Sequence, residues 1–118
     1  MNSNNPITIG QLLKALPQGS YNFQGDDNQQ IEWVTWDYQK VRANTLYFCV
    51  EKEEFQESHI ESNALDYWST AVDSGAVCLM SEKGRIQNTP AGVSLIEVDD
   101  LNPAMALVAR LFFGDPIK

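Results

Sequence analysis

The sequence ALDYWSTAVDSGAVCLM, residues 64–80, joins a helical pattern directly to a strand pattern. Its first apolar residues recur at helical spacing on one face: Ala64, Leu65, Trp68, Ala71 and Val72. Ser62 is a candidate N-cap, and Gly75 lies where a helix commonly ends in a left-handed residue. The apolar run at residues 76–80 then has the length of a buried strand.

A second apolar run, LYFCV at residues 46–50, precedes this helix and is also of strand length. Two strands joined by a helix through short connections form a right-handed parallel crossover, because only that hand lets the helix pack back on the sheet. The sequence therefore predicts a partly parallel sheet flanked by helices, with residues 46–50 as a central strand.

Further elements are predicted on both sides of this unit. Ile9, Leu12, Leu13 and Leu16 have helical spacing. This first helix is expected to begin after Thr8 as N-cap and to end at Pro17. Alternating residues at 31–38 predict a strand packed on both faces, and residues 93–98 predict another.

The polar and terminal segments complete the assignment. Asn102 and Pro103 are expected to begin a last helix, which Gly114 and Pro116 end. Residues 19–30 are rich in Gly, Asn, Asp and Gln and are predicted to be a surface loop.

Length and composition favour one domain. A chain of 118 residues with 43% hydrophobic content suffices for a single core. We predict one α/β domain over residues 1–118, a small layered domain with a mixed, partly parallel sheet flanked by helices. Residues 1–6 are expected to be disordered, and residues 114–118 to begin a linker.

The charge balance limits the possible partners. Sixteen acidic residues against eight basic ones give a net charge of −8, which repels nucleic acids and anionic membranes. The sequence has no run of about 20 apolar residues and no signal-peptide pattern at its start. We therefore expect a cytoplasmic protein that binds neither nucleic acid nor membrane.

No catalytic or metal-binding pattern is evident. His59 is the only histidine and has no partner at a zinc-like spacing, while Cys49 and Cys78 lie in apolar runs and are expected to be buried free thiols. The chain also lacks a glycine-rich loop with a lysine, which ATP phosphates would need. We expect the chain to have no catalytic activity and no cofactor of its own.

Three segments together carry a family resemblance. The sequence TWDYQKVRANTLYF, residues 35–48, resembles the T-x-D-S-R-x-V-x-P-G-x-L-F signature of the N-terminal domain of Mur ligases. Residues 67–77 look like the family's F-I-x-x-A-x-x-x-G-A joint between helix and strand, and residues 98–116 resemble its closing helix. The resemblance covers most of residues 7–116 and is strongest to the MurE type.

The resemblance implies a substrate-docking role. In Mur ligases this domain binds the UDP portion of a UDP-N-acetylmuramoyl-peptide, while other domains bind ATP with Mg and the amino acid. The partners implied are thus this or a related nucleotide sugar and the remaining ligase domains. The implied substrate-binding residues are Thr35, Trp36, Asp37, Tyr38, Gln39, Lys40, Arg42 and Lys52.

The chain departs from the family pattern at several of these positions. The family's aspartate, serine and arginine fall on Asp37, Tyr38 and Gln39, so only the aspartate is kept. A family glycine beside the uracil falls on Lys52, and about six extra residues are inserted around residues 54–59. The acidic residues of that insert would repel a diphosphate unless nearby basic residues offset them.

Structural roles compete with binding roles. Asp37 is predicted to orient a turn by accepting backbone hydrogen bonds. Lys40 and Arg42 are either solvated surface or contacts for a pyrophosphate. Trp36 and Tyr38 either stack on a base or, as their spacing favours, pack under a helix. The alternative function is accordingly a diverged protein-interaction or scaffolding domain that binds no nucleotide sugar.

Overall fold

The computed structural model describes residues 7–17, 19–50 and 64–113, and its largest sheet has five strands. These are β2 (Tyr21–Gln24), β4 (Trp33–Thr35), β5 (Thr45–Phe48), β6 (Ala76–Glu82) and β7 (Ser94–Val98). Their order is β2-β7-β6-β5-β4. Strands β4, β5, β6 and β7 run parallel to one another, whereas β2 pairs with β7 in the antiparallel direction. The predicted mixed sheet is therefore confirmed.

Helices cover both faces of this sheet. They are α1 (Ile9–Ala15), α2 (Trp68–Ser74) and α3 (Leu101–Phe113). Helices α1 and α3 pack over a core on one face that includes Leu46, Phe48 and Met80. Helix α2 packs on the other face, over Tyr47 and Leu79. Because both faces of β5 are covered, its continuous apolar run is fully buried, as expected of a central strand.

Local sequence signals set the helix ends. Thr8 caps α1 in a capping box, in which its side chain accepts from the Gln11 N–H and the Gln11 side chain accepts from the Thr8 N–H. Gly75 ends α2 with a φ of 128°, a conformation that side chains rarely adopt. Both predicted boundaries are confirmed, whereas Ser62, Gly114 and Pro116 lie outside the described residues.

Residues 21–24 and 30 belong to strands, so the prediction of a surface loop over residues 19–30 is wrong there and holds for residues 25–29. Tyr21 and Phe23 are half-buried against the core of the α1 and α3 face, while Asn22 and Gln24 point to solvent. The β2 backbone pairs with β7 along its whole length, which satisfies the backbone groups on the side of this edge strand that faces β7. The two-residue strands β1 (Ile7–Thr8) and β3 (Gln30–Ile31) form a separate antiparallel pair.

Two further elements differ from their predicted bounds. The strand predicted over residues 31–38 ends at Thr35, because the chain bends into the 3-10 turn Tyr38–Lys40. The helix predicted from residue 64 begins as the 3-10 turn Ala64–Tyr67 and becomes α-helical only at Trp68. Both irregular turns lie on the face that α2 covers.

Cys49 and Cys78 are buried free cysteines, as predicted. Cys49 packs on the α2 face of the sheet and Cys78 on the opposite face. Burial raises the pKa of both thiols well above the ordinary range. They remain protonated at neutral pH and act as small apolar side chains.

Candidate functional site

The loop between β4 and β5, residues 36–44, starts with a bend held by local hydrogen bonds. The Thr35 Oγ1 accepts from the Asp37 N–H at 3.1 Å. The Asp37 Oδ1 accepts from the Gln39 N–H at 2.9 Å, and the Asp37 carbonyl accepts from the Lys40 N–H at 2.9 Å. The predicted role of Asp37 in orienting this turn is therefore confirmed.

Aromatic stacking joins this bend to the segment before α2. The rings of Tyr38 and Tyr67 are stacked, with centroids 4.2 Å apart and planes at 8°. The turn that carries Tyr67 is attached to β5, since the Tyr47 hydroxyl donates to the Ala64 carbonyl at 2.7 Å. The Leu65 N–H also donates to the carbonyl of Val50 at 3.0 Å. Three tyrosines thus connect the β4–β5 loop, β5 and the start of α2.

The Tyr47 hydroxyl is the buried member of this cluster. Burial, and then the neighbouring Cys49 and Asp37 as smaller causes, raises the pKa of Tyr47 well above its ordinary value. The hydroxyl is therefore a permanent hydrogen-bond donor at physiological pH. A buried tyrosine normally needs such a partner, so this strand position could have been suspected from the sequence. Tyr67, in contrast, gives no local signal, because its role depends on a contact across the fold.

The far end of the β4–β5 loop lies at the opposite end of β4. The Arg42 guanidinium is 3.9 Å from the centroid of the Trp33 ring, at the first residue of β4. The Thr45 Oγ1 accepts from the Arg42 N–H at 3.1 Å and donates to the Arg42 carbonyl at 2.6 Å. Arg42 therefore lies beside the amino ends of the strands, whereas Asp37 follows the carboxyl end of β4.

The structure thus separates the residues that the sequence grouped. Thr35, Trp36, Asp37, Tyr38, Gln39 and Lys40 lie together at the bend after β4. Arg42 is at the other end of that strand, and Lys52 lies outside the described residues.

Trp36 and Tyr38 also differ from each other. The Trp36 side chain is 52% exposed, so the expectation that it packs under a helix is wrong. Tyr38 does pack beside α2, and its hydroxyl accepts from Gln39 Nε2 at 3.3 Å. Trp36 comes after the last residue of β4. The alternation of buried and exposed residues along the strand therefore does not apply to it.

A shallow groove lies at the other edge of the sheet. It has a volume of about 140 Å³ and lies between the end of α1 and the start of α3. Its wall is mainly apolar but includes Asp99 and Asp100. Asp99 forms an ion pair with Lys83 at 2.8 Å, and Asp100 would repel a diphosphate, so this groove fits a nucleotide less well than the bend after β4 does.

Neither metal-ligand clusters nor membrane-crossing helices occur in the described ranges. Within residues 7–17, 19–50 and 64–113, no three His, Cys, Asp or Glu side chains form a group that could hold a metal ion. None of the helices in these same ranges has the length and apolar character to span a membrane.

The amino-acid sequence is similar to those of one group of known enzymes. The chain is 30% identical over 114 residues to the UDP-N-acetylmuramoyl-L-alanyl-D-glutamate--2,6-diaminopimelate ligase of Listeria monocytogenes serotype 4b (strain F2365), which covers 95% of the chain and 20% of that ligase. The ligase of the same name from Clostridium botulinum (strain ATCC 19397 / Type A) is 25% identical over 113 residues, covering 95% of the chain and 21% of the ligase. No protein-family model matches the chain.

The fold is also similar to that of a solved structure. A crystal structure of MurF from Acinetobacter baumannii superposes with a TM-score of 0.64 at 16% identity, covering 92% of the chain and 21% of MurF. The chain therefore spans about a fifth of the length of the proteins that it matches.

Shared sequence and shared fold identify the chain as a domain of the Mur ligase N-terminal class. Within that class it is MurE-like, because the two relatives described above are 2,6-diaminopimelate ligases. The predicted resemblance to the N-terminal domain of Mur ligases, strongest to the MurE type, is thereby confirmed.

Proposed function

We propose that the chain is the substrate-docking domain of an ATP-dependent, amide-forming ligase of peptidoglycan synthesis. It binds the UDP part of a UDP-N-acetylmuramoyl-peptide in the cytoplasm. The observation that carries this proposal is the similarity to a 2,6-diaminopimelate ligase over 95% of the chain. That match corresponds to only 20% of the ligase, so we assign ATP, Mg and amide-bond formation to other domains of the parent protein.

The position of the β4–β5 loop supports the docking role. In open α/β sheets, ligands bind in the crevice beyond the carboxyl ends of the parallel strands. The bend at residues 36–40 follows the carboxyl end of β4 and carries polar groups together with an exposed aromatic ring. Stacking on a ring such as Trp36 contributes about 1–3 kcal/mol per base and tolerates any base.

The positive charge of Lys40 at the bend also supports binding of the UDP diphosphate. Lys40 is exposed in the turn that Asp37 caps, where its ammonium group can offset part of the net charge of −8. Arg42 lies beside Trp33 at the other end of β4. We therefore assign the main diphosphate contact to Lys40.

One observation favours the alternative of a protein-interaction domain. Tryptophan is enriched at protein interfaces, and the Trp36 side chain is 52% exposed. Binding of a small nucleotide ligand distinguishes the docking domain from the interaction domain, because an interaction domain does not require a nucleotide.

Calorimetric titration of the chain with UDP-N-acetylmuramoyl-dipeptide, UDP and uridine tests the proposal. We expect the dipeptide ligand to bind most tightly and uridine most weakly. Absence of binding at millimolar ligand, equivalent to about −4.1 kcal/mol, would contradict the docking role and favour protein interaction.

A charge variant sharpens this test. Lys40→Gln should weaken UDP binding about two- to fivefold, as is typical of an exposed ionic contact, and leave uridine binding unchanged. Lys14→Gln is the matched control, because it removes the same charge from the exposed end of α1. Equal effects of the two variants would show that only the total charge of the chain matters.

A further inference from the structure

The Tyr38–Tyr67 stack is one link between the bend after β4 and the body of the domain, beside the packing of Tyr38 and Val41 on the core of the α2 face. Within the bend, hydrogen bonds connect Thr35, Asp37 and Gln39 to one another and define its local shape. These bonds lie within residues 35–39, so contacts with other elements contribute to the direction of the bend relative to the sheet. The Tyr38 ring lies nearly parallel to the Tyr67 ring, with centroids 4.2 Å apart, and this contact joins the bend to the segment before α2.

Tyr67 is well placed to orient the bend because its own turn is held firmly. Its backbone occupies the N-cap position of α2, and its side chain forms no capping hydrogen bond. The same 3-10 turn is attached to β5 through the carbonyl of Ala64 and the N–H of Leu65. The ring of Tyr67 therefore extends from an attached turn and stacks on the ring of Tyr38.

We propose that Tyr67, which lies outside the β4–β5 loop, is a positioning residue that holds this loop in the orientation that receives the nucleotide sugar. This inference rests on the proposed docking function. Tyr67 acts through Tyr38 and not by contact with the ligand. Loss of one stacked aromatic pair should weaken binding by about two- to tenfold.

The test compares variants of the whole chain. Tyr67→Leu removes the stacked ring, and Tyr67→Phe retains it. Tyr21→Leu is the matched control, since Tyr21 is also half-buried but lies on β2, at the opposite edge of the sheet. Tyr67→Met is a second ring-free variant whose flexible side chain can fill the gap if the leucine variant does not fold.

Two measurements separate positioning from general destabilisation. In the ligand-free protein, the Trp36 indole and the Gln39 and Lys40 amide resonances should shift in Tyr67→Leu and not in Tyr21→Leu. Affinity for UDP-N-acetylmuramoyl-dipeptide should fall about two- to tenfold in Tyr67→Leu and be restored in Tyr67→Phe.

The outcomes distinguish this inference from the proposed function. If the unaltered chain binds the ligand and Tyr67→Leu binds equally well, the positioning role is overturned and the docking function stands. If the bend resonances do not move in the ring-free variants, the positioning role is likewise overturned. If the unaltered chain binds no ligand, the docking function fails and the inference fails with it.

Discussion

At the residue scale, Asp37 determines the local shape of the bend after β4. Its carboxylate accepts the Gln39 N–H, and its carbonyl accepts the Lys40 N–H. These bonds stop β4 at Thr35 and turn the chain along the α2 face. Under the proposed docking function, Asp37 would affect ligand binding through the shape of the bend.

Replacement of Asp37 tests this role. Asp37→Ala should lower the free energy of unfolding by about 0.5–1.5 kcal/mol, because the Gln39 N–H loses its acceptor. Asp37→Asn keeps a side-chain oxygen and should lose less. Urea denaturation of the three proteins measures the difference. An asparagine variant as unstable as the alanine variant would show that the charge, and not the hydrogen bond, is important.

Tyr47 makes stability depend on pH at the alkaline end. Burial raises its pKa, so the unfolded chain releases the proton first as the pH rises. The stability contribution is complete below the unfolded pKa of about 10 and is lost as the pH rises above it. Cys49 and Cys78, whose pKa values are also raised, act in the same direction from about pH 8.5 upward.

Tyr47→Phe isolates the tyrosine contribution. At pH 7 the variant should be less stable by about 1–3 kcal/mol, because the Ala64 carbonyl loses its buried donor. Between pH 10 and 11 its stability should fall less steeply than that of the unaltered chain, since the cysteines remain and the tyrosine does not. Urea denaturation at several pH values measures both effects. Identical pH slopes would contradict the assignment to Tyr47.

At the scale of elements, Gly75 joins α2 to the β4–β5 loop. Its φ is 128°, and a Cβ built at this position would lie 2.7 Å from the Arg42 carbonyl oxygen. Backbone cannot yield as a flexible side chain can, so this glycine allows the close approach of the two elements. The glycine therefore has a packing role in addition to ending α2.

Gly75→Ala should accordingly cost more than backbone strain alone. Gly92 also has a positive φ, 88°, but its Cβ would meet nothing within 4 Å. Gly92→Ala should cost about 1–2 kcal/mol from conformation, and Gly75→Ala distinctly more. Thermal or urea unfolding of both variants checks this. Equal losses would show that the contact with Arg42 is relieved without cost.

The sequence predicts the elements well where periodicity is strong. The helix after Thr8, the central strand and the crossover around residues 64–80 all follow from apolar spacing and end signals. Strand β2 was missed because its polar neighbours outweigh two alternating aromatics, and its pairing with β7 is a long-range choice. The site is less predictable for the same reason, since neither the Tyr38–Tyr67 stack nor the separation of Arg42 from Asp37 is encoded locally.

At the scale of the whole molecule, the domain combines a widely shared fold with an unfavourable charge for its proposed ligand. A net charge of −8 opposes binding of a diphosphate, so affinity has to come from the bend itself. The carboxyl end of β4 and the groove between α1 and α3 lie at opposite edges of the sheet. A ligand at one edge is therefore readily distinguished from a ligand at the other.

Chemical-shift mapping of the chain with UDP-N-acetylmuramoyl-dipeptide tests the docking proposal most directly. We predict saturable shifts of residues 35–40 and the Trp36 indole, with little change around Leu16 and Val98 in the groove. Shifts centred on that groove, or none at millimolar ligand, would contradict it.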